Sequence, residues 1–129
     1  MGKILLIDDD PAFTRLLKDY IAEQYPLLAV DICNNPLEAL TDIRKAPYDL
    51  ILIDFEMPTL DGLKLLKFAV QFGIEKRRIV ILSSRDADFL HEHCPMGSCL
   101  AVLNKHEVRQ KAVLDMIFSS LSSKAEQES

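Results

Sequence analysis

The chain has 129 residues, of which 49% are hydrophobic and 27% charged, and a formal net charge of −5. That length suits one domain whose core needs no disulfide or metal to fold, and the acidic balance argues against nonspecific binding of nucleic acid. Its apolar runs are too short to span a bilayer, no signal-peptide pattern opens it, and Cys33, Cys94 and Cys99 sit among apolar residues as reduced thiols would. The expectation is one soluble cytoplasmic domain with neither a membrane nor a nucleic-acid partner.

Residues 3–7 form an apolar run ending in Asp8-Asp9-Asp10, which reads as a buried strand with acids at its tip. Asp10 suits the cap of a following helix and Pro11 its first turn, with Phe13, Leu16, Leu17, Tyr20 and Ile21 on one face until Pro26. Residues 28–33 read as a second strand. Asn34-Asn35-Pro36 then caps a helix carrying Leu37, Leu40 and Ile43, closed by Pro47. Residues 50–53 are continuously apolar and rich in β-branched side chains, and Asp54 stands at their carboxyl end.

The loop Met57-Pro58-Thr59-Leu60-Asp61-Gly62 leads to a helix with Leu63, Leu66 and Val70 inward and Gly73 as its stop. Residues 78–82 make a fourth strand ending at Ser83-Ser84. A short polar helix over 86–94 follows, with Ala87, Leu90 and Cys94 as its inner stripe and Pro95 as its stop. Residues 100–103 make the fifth strand, ending at Asn104-Lys105. Val108, Ala112, Val113, Met116, Ile117 and Leu121 make the last helix amphipathic, and residues 122–129 read as a polar tail or linker stub after a domain over 1–121. Strands alternating with helices at this spacing imply a parallel, doubly wound α/β sheet with right-handed crossovers.

In such a sheet the carboxyl ends of the strands share one rim, where ligands bind. Asp8, Asp9, Asp54, Ser83 and Lys105 all fall there. Two carboxylates about 4 Å apart repel by about 4 kcal/mol at an effective dielectric of 20, so the cluster calls for a cation, and hard oxygen ligands favour Mg²⁺. A carboxylate beside Mg²⁺, a lysine and a hydroxyl is equipped to accept a phosphoryl group as nucleophile.

Over nearly its whole length the chain resembles the receiver domain of two-component response regulators. The resemblance rests on Asp8-Asp9, Asp54-Phe55-Glu56-Met57-Pro58 with Asp61-Gly62, Ser83-Ser84 and Lys105, in that order. It implies a flavodoxin-like five-stranded parallel sheet of order 2-1-3-4-5 and phosphoryl transfer from a histidine kinase or phosphotransfer protein to Asp54, a signalling step rather than an enzyme's turnover. By position, Asp9 would hold Mg²⁺ directly, Asp8 mainly through water, and the Glu56 backbone carbonyl would complete the protein ligands. Ser83 would bond a phosphoryl oxygen and Lys105 would pair with it. The downstream partner would meet the face over residues 86–121.

The chain departs from the family pattern at three places: His106 stands where proline usually follows the lysine, Asn104 precedes it, and Val102 occupies the aromatic switch position. These remove no catalytic group but alter the readout, so the alternative function is a receiver used as a phosphorylation-independent binding module. An aspartyl-nucleophile phosphohydrolase ranks below both, since Glu56 replaces the second Asp of that motif. Glu56 and Arg85 flank the phosphoryl site and are expected to pair across its mouth as modulators of dephosphorylation; the bland reading is two unconnected surface charges. His91, His93 and Cys94 lack zinc-site spacing.

Overall fold

Five parallel strands form one sheet in the order β2-β1-β3-β4-β5. They are β1 (Gly2–Ile7), β2 (Leu28–Cys33), β3 (Leu50–Asp54), β4 (Ile79–Ser83) and β5 (Ala101–Asn104). The helices are α1 (Pro11–Gln24), α2 (Ala39–Asp42), α3 (Gly62–Gln71), α4 (Ala87–His93) and α5 (Val108–Glu128). The structure is a computed structural model that describes residues 2–58, 60–94 and 97–128, without the side chains at 87, 91 and 108–110. The expected strand order is therefore present, and each strand lies within two residues of its expected span.

Side-chain alternation divides the core into two layers. Leu5, Ile7, Ile51, Ile53, Ile79 and Ile81 face α2, α3 and α4, joined by Leu65, Leu66, Ala69 and Cys94. Ile4, Leu6, Leu50, Leu52, Val80 and Leu82 face α1 and α5, joined by Ile21 and Phe118. A strand buried on both faces has no polar period, which is why residues 50–53 are apolar throughout. Burying such a side chain stabilises the fold by about 1.5–3 kcal/mol, and β1, β3 and β4 at the centre of the sheet carry equal runs of them. Among the described residues no helix is long and apolar enough to cross a membrane.

The helix faces required correction in several places. The second helix is a 3₁₀ turn over Pro36–Glu38 and only four α-helical residues; Asn35 caps that turn, Ala39 and Ile43 face inward, and Leu37 is exposed. On α1, Thr14 and Ile21 are buried while Leu16 lies in solvent. On α3, Leu65, Leu66 and Ala69 are buried and Val70 is exposed. On α5 the buried anchor is Phe118, with Leu114, Ile117 and Leu121 packed around it, whereas Met116 and Val113 face outward. Helix α5 also runs on to Glu128 with Ala125 buried, so residues 122–128 are not a frayed tail. On α4, Leu90 and Cys94 are buried as expected; the readings of the Ala87 and Val108 side chains and of Pro95 lie outside the described residues. All three cysteines are free thiols.

Candidate phosphoryl and metal site

The site is built where β1 and β3 run out side by side. Ile7 pairs with Ile53, and Asp54 pairs with Leu82 on the other edge of β3, so Asp8 and Asp54 leave the sheet as neighbours. Asp8 is 5% exposed and Asp54 3% exposed, whereas Asp9 lies at the open rim. Carboxylate oxygens of Asp8, Asp9 and Asp54 all come within 4.8 Å of one another. Three hard oxygen donors at that spacing, two of them buried and all from carboxylates, fit a divalent cation such as Mg²⁺.

Lys105, arriving from the end of β5, sets its Nζ 2.5 Å from Asp8 Oδ2 and 3.2 Å from Asp54 Oδ1. It thus supplies a counter-charge within the cluster. Burial, then the Asp8 charge, push the Asp54 carboxyl up to about 7, against the opposing pull of Lys105 and the Glu56 N–H. For Lys105 burial works against the charged form, but the hydrogen bond to Asp8 and the charges of Asp54 and Asp8 outweigh it and hold the ammonium above its ordinary range. Its Nζ also lies 4.6 Å from the centre of the Phe13 ring, a cation–π contact.

Local turns aim these groups. Asp8 Oδ1 accepts from the Asp10 N–H at 3.0 Å, and Asp10 in turn caps α1 through the Ala12 and Phe13 N–H groups. The Asn34 amide donates to the Asp8 carbonyl at 2.8 Å and to Thr14 Oγ1 at 3.0 Å, bracing the β1–α1 loop from β2. Asn34 and Phe13 were read as a cap and a core residue. Their roles at the site depend on which elements meet, and no local pattern announces that.

The loop after Asp54 folds back on itself. The Gly62 N–H donates to the Phe55 carbonyl at 3.2 Å, Glu56 bridges Asp61, and Asp61 caps α3 through the Leu63 N–H. A Cβ on Gly62 would lie 2.6 Å from the Asp54 carbonyl oxygen and 2.8 Å from the Phe55 Cα, both backbone atoms. Gly62→Ala is therefore expected to cost about 1–3 kcal/mol. Urea unfolding would measure it, and a loss below about 0.5 kcal/mol would show that the loop yields without strain.

Ser83 is fully buried at the end of β4. Its hydroxyl donates to Glu56 Oε1 at 2.5 Å and accepts from the Arg85 N–H at 3.0 Å. The Ser84 N–H reaches Glu56 Oε2 at 3.4 Å. The expected Glu56–Arg85 ion pair is not made. Glu56 is held by the serines, and the Arg85 guanidinium packs 3.8 Å above the Phe89 ring. Phe89 stacks on His93 at 4.1 Å, and Phe55, next to Asp54, meets Phe89 edge-on at 5.6 Å. The Ser83 hydroxyl lies within hydrogen-bond reach of Glu56, and the Arg85 guanidinium has an aromatic face to cover. His93 is thus a packing residue whose Nδ1 lies 2.8 Å from the Phe89 carbonyl. Val102 on β5 pairs with Ile81 of β4 and is half-buried against the layer of α2, α3 and α4. His106 follows Lys105 through a trans peptide.

The comparisons with known proteins agree with this geometry. "Protein-glutamate methylesterase/protein-glutamine glutaminase 1" of Methanospirillum hungatei JF-1 is 30% identical over 100 residues, 76% of this chain but 29% of that protein. "Probable histidine kinase 1" of Oryza sativa subsp. indica is 40% identical over 71 residues, 55% of this chain and 7% of that protein. The chain thus spans under a third of either relative. In fold it is similar to the response regulator protein TrrA of Thermotoga maritima in complex with Mg(2+)-BeF, with a TM-score of 0.77, 24% identity, and 94% of this chain and 99% of that one covered. It is also similar to the receiver domain of a sensor histidine kinase of Pseudomonas aeruginosa PAO1 with a magnesium ion in its active-site cleft, with a TM-score of 0.75, 22% identity, and 95% and 99% covered. The family model "Response regulator receiver domain" matches residues 4–117. That match spans the acidic cluster at the ends of β1 and β3 and the lysine that answers it from β5, and the chain belongs to the response regulator receiver domain family.

Proposed function

We propose that this receiver takes a phosphoryl group on Asp54 from the phosphohistidine of a histidine kinase or phosphotransfer protein and passes the change to a downstream protein. The observation that carries this is the buried Asp54 carboxylate set between Lys105 and the Asp8–Asp9 pair. In the transfer an Asp54 carboxylate oxygen forms the new P–O bond as the P–N bond breaks. The departing imidazole keeps the electron pair and takes a proton from solvent.

Asp8, Asp9 and Asp54, with the Glu56 backbone carbonyl, would hold Mg²⁺, which would neutralise the clustered carboxylates and the phosphoryl charge. Lys105 exchanges its hold on Asp8 and Asp54 for a phosphoryl oxygen. Ser83 turns its hydroxyl from Glu56 to another, so Glu56 occupies in the resting state the donor that the phosphoryl group uses. Release of Glu56 and the movement of Ser83 alter the β4–α4 loop and α4, where Arg85 and Phe55 pack on Phe89. With Val102 in β5 this readout runs without an aromatic flip, and the partner surface lies on residues 86–121.

Intact-mass measurement after incubation with a small phosphodonor and Mg²⁺ tests the proposal. One added phosphoryl group is expected, absent in Asp54→Ala and absent when Mg²⁺ is chelated. A wild-type chain that binds Mg²⁺ yet gains no mass would favour the phosphorylation-independent module.

A further inference from the structure

We propose that Asn104 is a positioning residue of the phosphoryl site: its side-chain amide ties the turn bearing Lys105 to the loop bearing Ser83, so that both move as one unit. This rests on the phosphoacceptor reading above.

The argument begins where the sheet ends. On the β4–β5 ladder Ser83 stands level with Asn104, and the last backbone bond between the two segments runs from the Lys105 N–H to the Ser83 carbonyl at 2.8 Å. Beyond it the chains part, one into the loop before α4 and the other into the turn before α5. Backbone pairing cannot hold segments that diverge. The Asn104 side chain spans this fork. Its Nδ2 donates to the Arg85 carbonyl at 2.8 Å, and its Oδ1 accepts from the His106 N–H at 2.7 Å.

The Arg85 residue is therefore fixed from both sides. Its N–H donates to Ser83 Oγ at 3.0 Å, and its carbonyl is held by Asn104. The circuit closes through the Asn104 amide, the 105–106 backbone and the Ser83 carbonyl, and it encloses the points from which the Ser83 hydroxyl and the Lys105 ammonium project. A side chain that merely capped the turn would use only its oxygen. The use of the nitrogen on the opposite loop is what makes Asn104 a tie. The chemistry is selective: asparagine carries a donor and an acceptor on one short stem, aspartate lacks the donor, and the position after Lys105 must keep an N–H, which proline lacks. The residues at 104 and 106 thus form one device.

Titration with fluoroberyllate in the presence of Mg²⁺, followed by amide NMR, tests this. In the wild type the Arg85 and His106 amide signals are expected to shift together on saturation. Asn104→Ala is expected to weaken fluoroberyllate about 3–10-fold, the worth of the hydrogen bonds lost, with affinity for Mg²⁺ alone unchanged. Asn104→Asp keeps the His106 bond and removes the donor to Arg85; it is expected to weaken fluoroberyllate as well, with Arg85 still shifting and His106 no longer following. Being isosteric, it also reads the tie should Asn104→Ala fold poorly. Unaltered fluoroberyllate affinity and joint shifts in the variants, even with a lowered Tm, would overturn the inference alone. A wild-type chain that binds Mg²⁺ but not fluoroberyllate would overturn the phosphoacceptor reading, and this inference with it.

Discussion

In metal-stripped protein at pH 8, Asp54→Asn is expected to raise the stability of the fold by about 2–4 kcal/mol, or the Tm by about 5–15 °C. The cause is the burial of Asp54 beside Asp8, which lifts its carboxyl from 3.8 to about 7. A group that holds its proton more tightly folded than unfolded stabilises the fold at low pH. That contribution is complete below about pH 4, shrinks as pH rises, and is gone once pH passes about 7. Above that point an ionised, partly compensated carboxylate destabilises the native state. Asparagine keeps the shape and carries no charge. The gain should therefore be near zero at pH 4 and largest at pH 8, and thermal melts in chelator at pH 4, 6 and 8 would show it. Mg²⁺ should reverse the order at pH 8 by stabilising the wild type more than the variant. Melting curves that keep a constant separation across this range would rule out Asp54 as the titrating group.

Lys105→Met is expected to lower stability by about 3–5 kcal/mol at pH 8 in the same metal-stripped state, the usual cost of leaving one side of a buried ion pair without its partner. The side chain of Lys105 is 11% exposed, and those of Asp8 and Asp54 are 6% and 3% exposed, so solvent screens the cluster little. The ammonium is held above its ordinary range, so it stays charged throughout pH 5–8 and the pH dependence of the loss comes from Asp54. At pH 5, where Asp54 carries its proton, the loss should be smaller. Adding Asp54→Asn to Lys105→Met should restore more than the ~2–4 kcal/mol that Asp54→Asn gains alone, so that the double variant departs from the sum of the two single effects. Strict additivity in urea unfolding would mean that Lys105 and Asp54 do not interact as their separation of 3.2 Å implies. The single variant should also accept phosphoryl more slowly, because nothing replaces the ammonium at the phosphoryl oxygen.

The features that the sequence made legible share one property: each depends on residues that are adjacent in the chain. The four apolar residues before Asp54, the Asp-Pro start of α1 and the Asp61-Gly62 turn each carry a local physical requirement, and each stands where that requirement places it. Parallel topology then brings Asp8, Asp54, Ser83 and Lys105 to one rim, because all five strands run the same way and their carboxyl ends lie on one edge of the sheet. Helix faces were harder. Phe118 and Met116 are both apolar and two positions apart, and only the contact with Tyr25 and the second layer decides that Phe118 is the buried one.

By itself, then, the sequence determined the alternation of strands and helices and the placing of acids at strand ends, since period and punctuation are properties of single segments; the strand order came only with the family resemblance. Only the tertiary structure decided that Glu56 is held by Ser83 rather than Arg85, that Arg85 covers Phe89, that Asn34 braces Asp8, and that Asn104 spans the fork beyond β5. Each of those is a competition among several possible partners. Its outcome is set by how loops from different parts of the chain come to lie against one another.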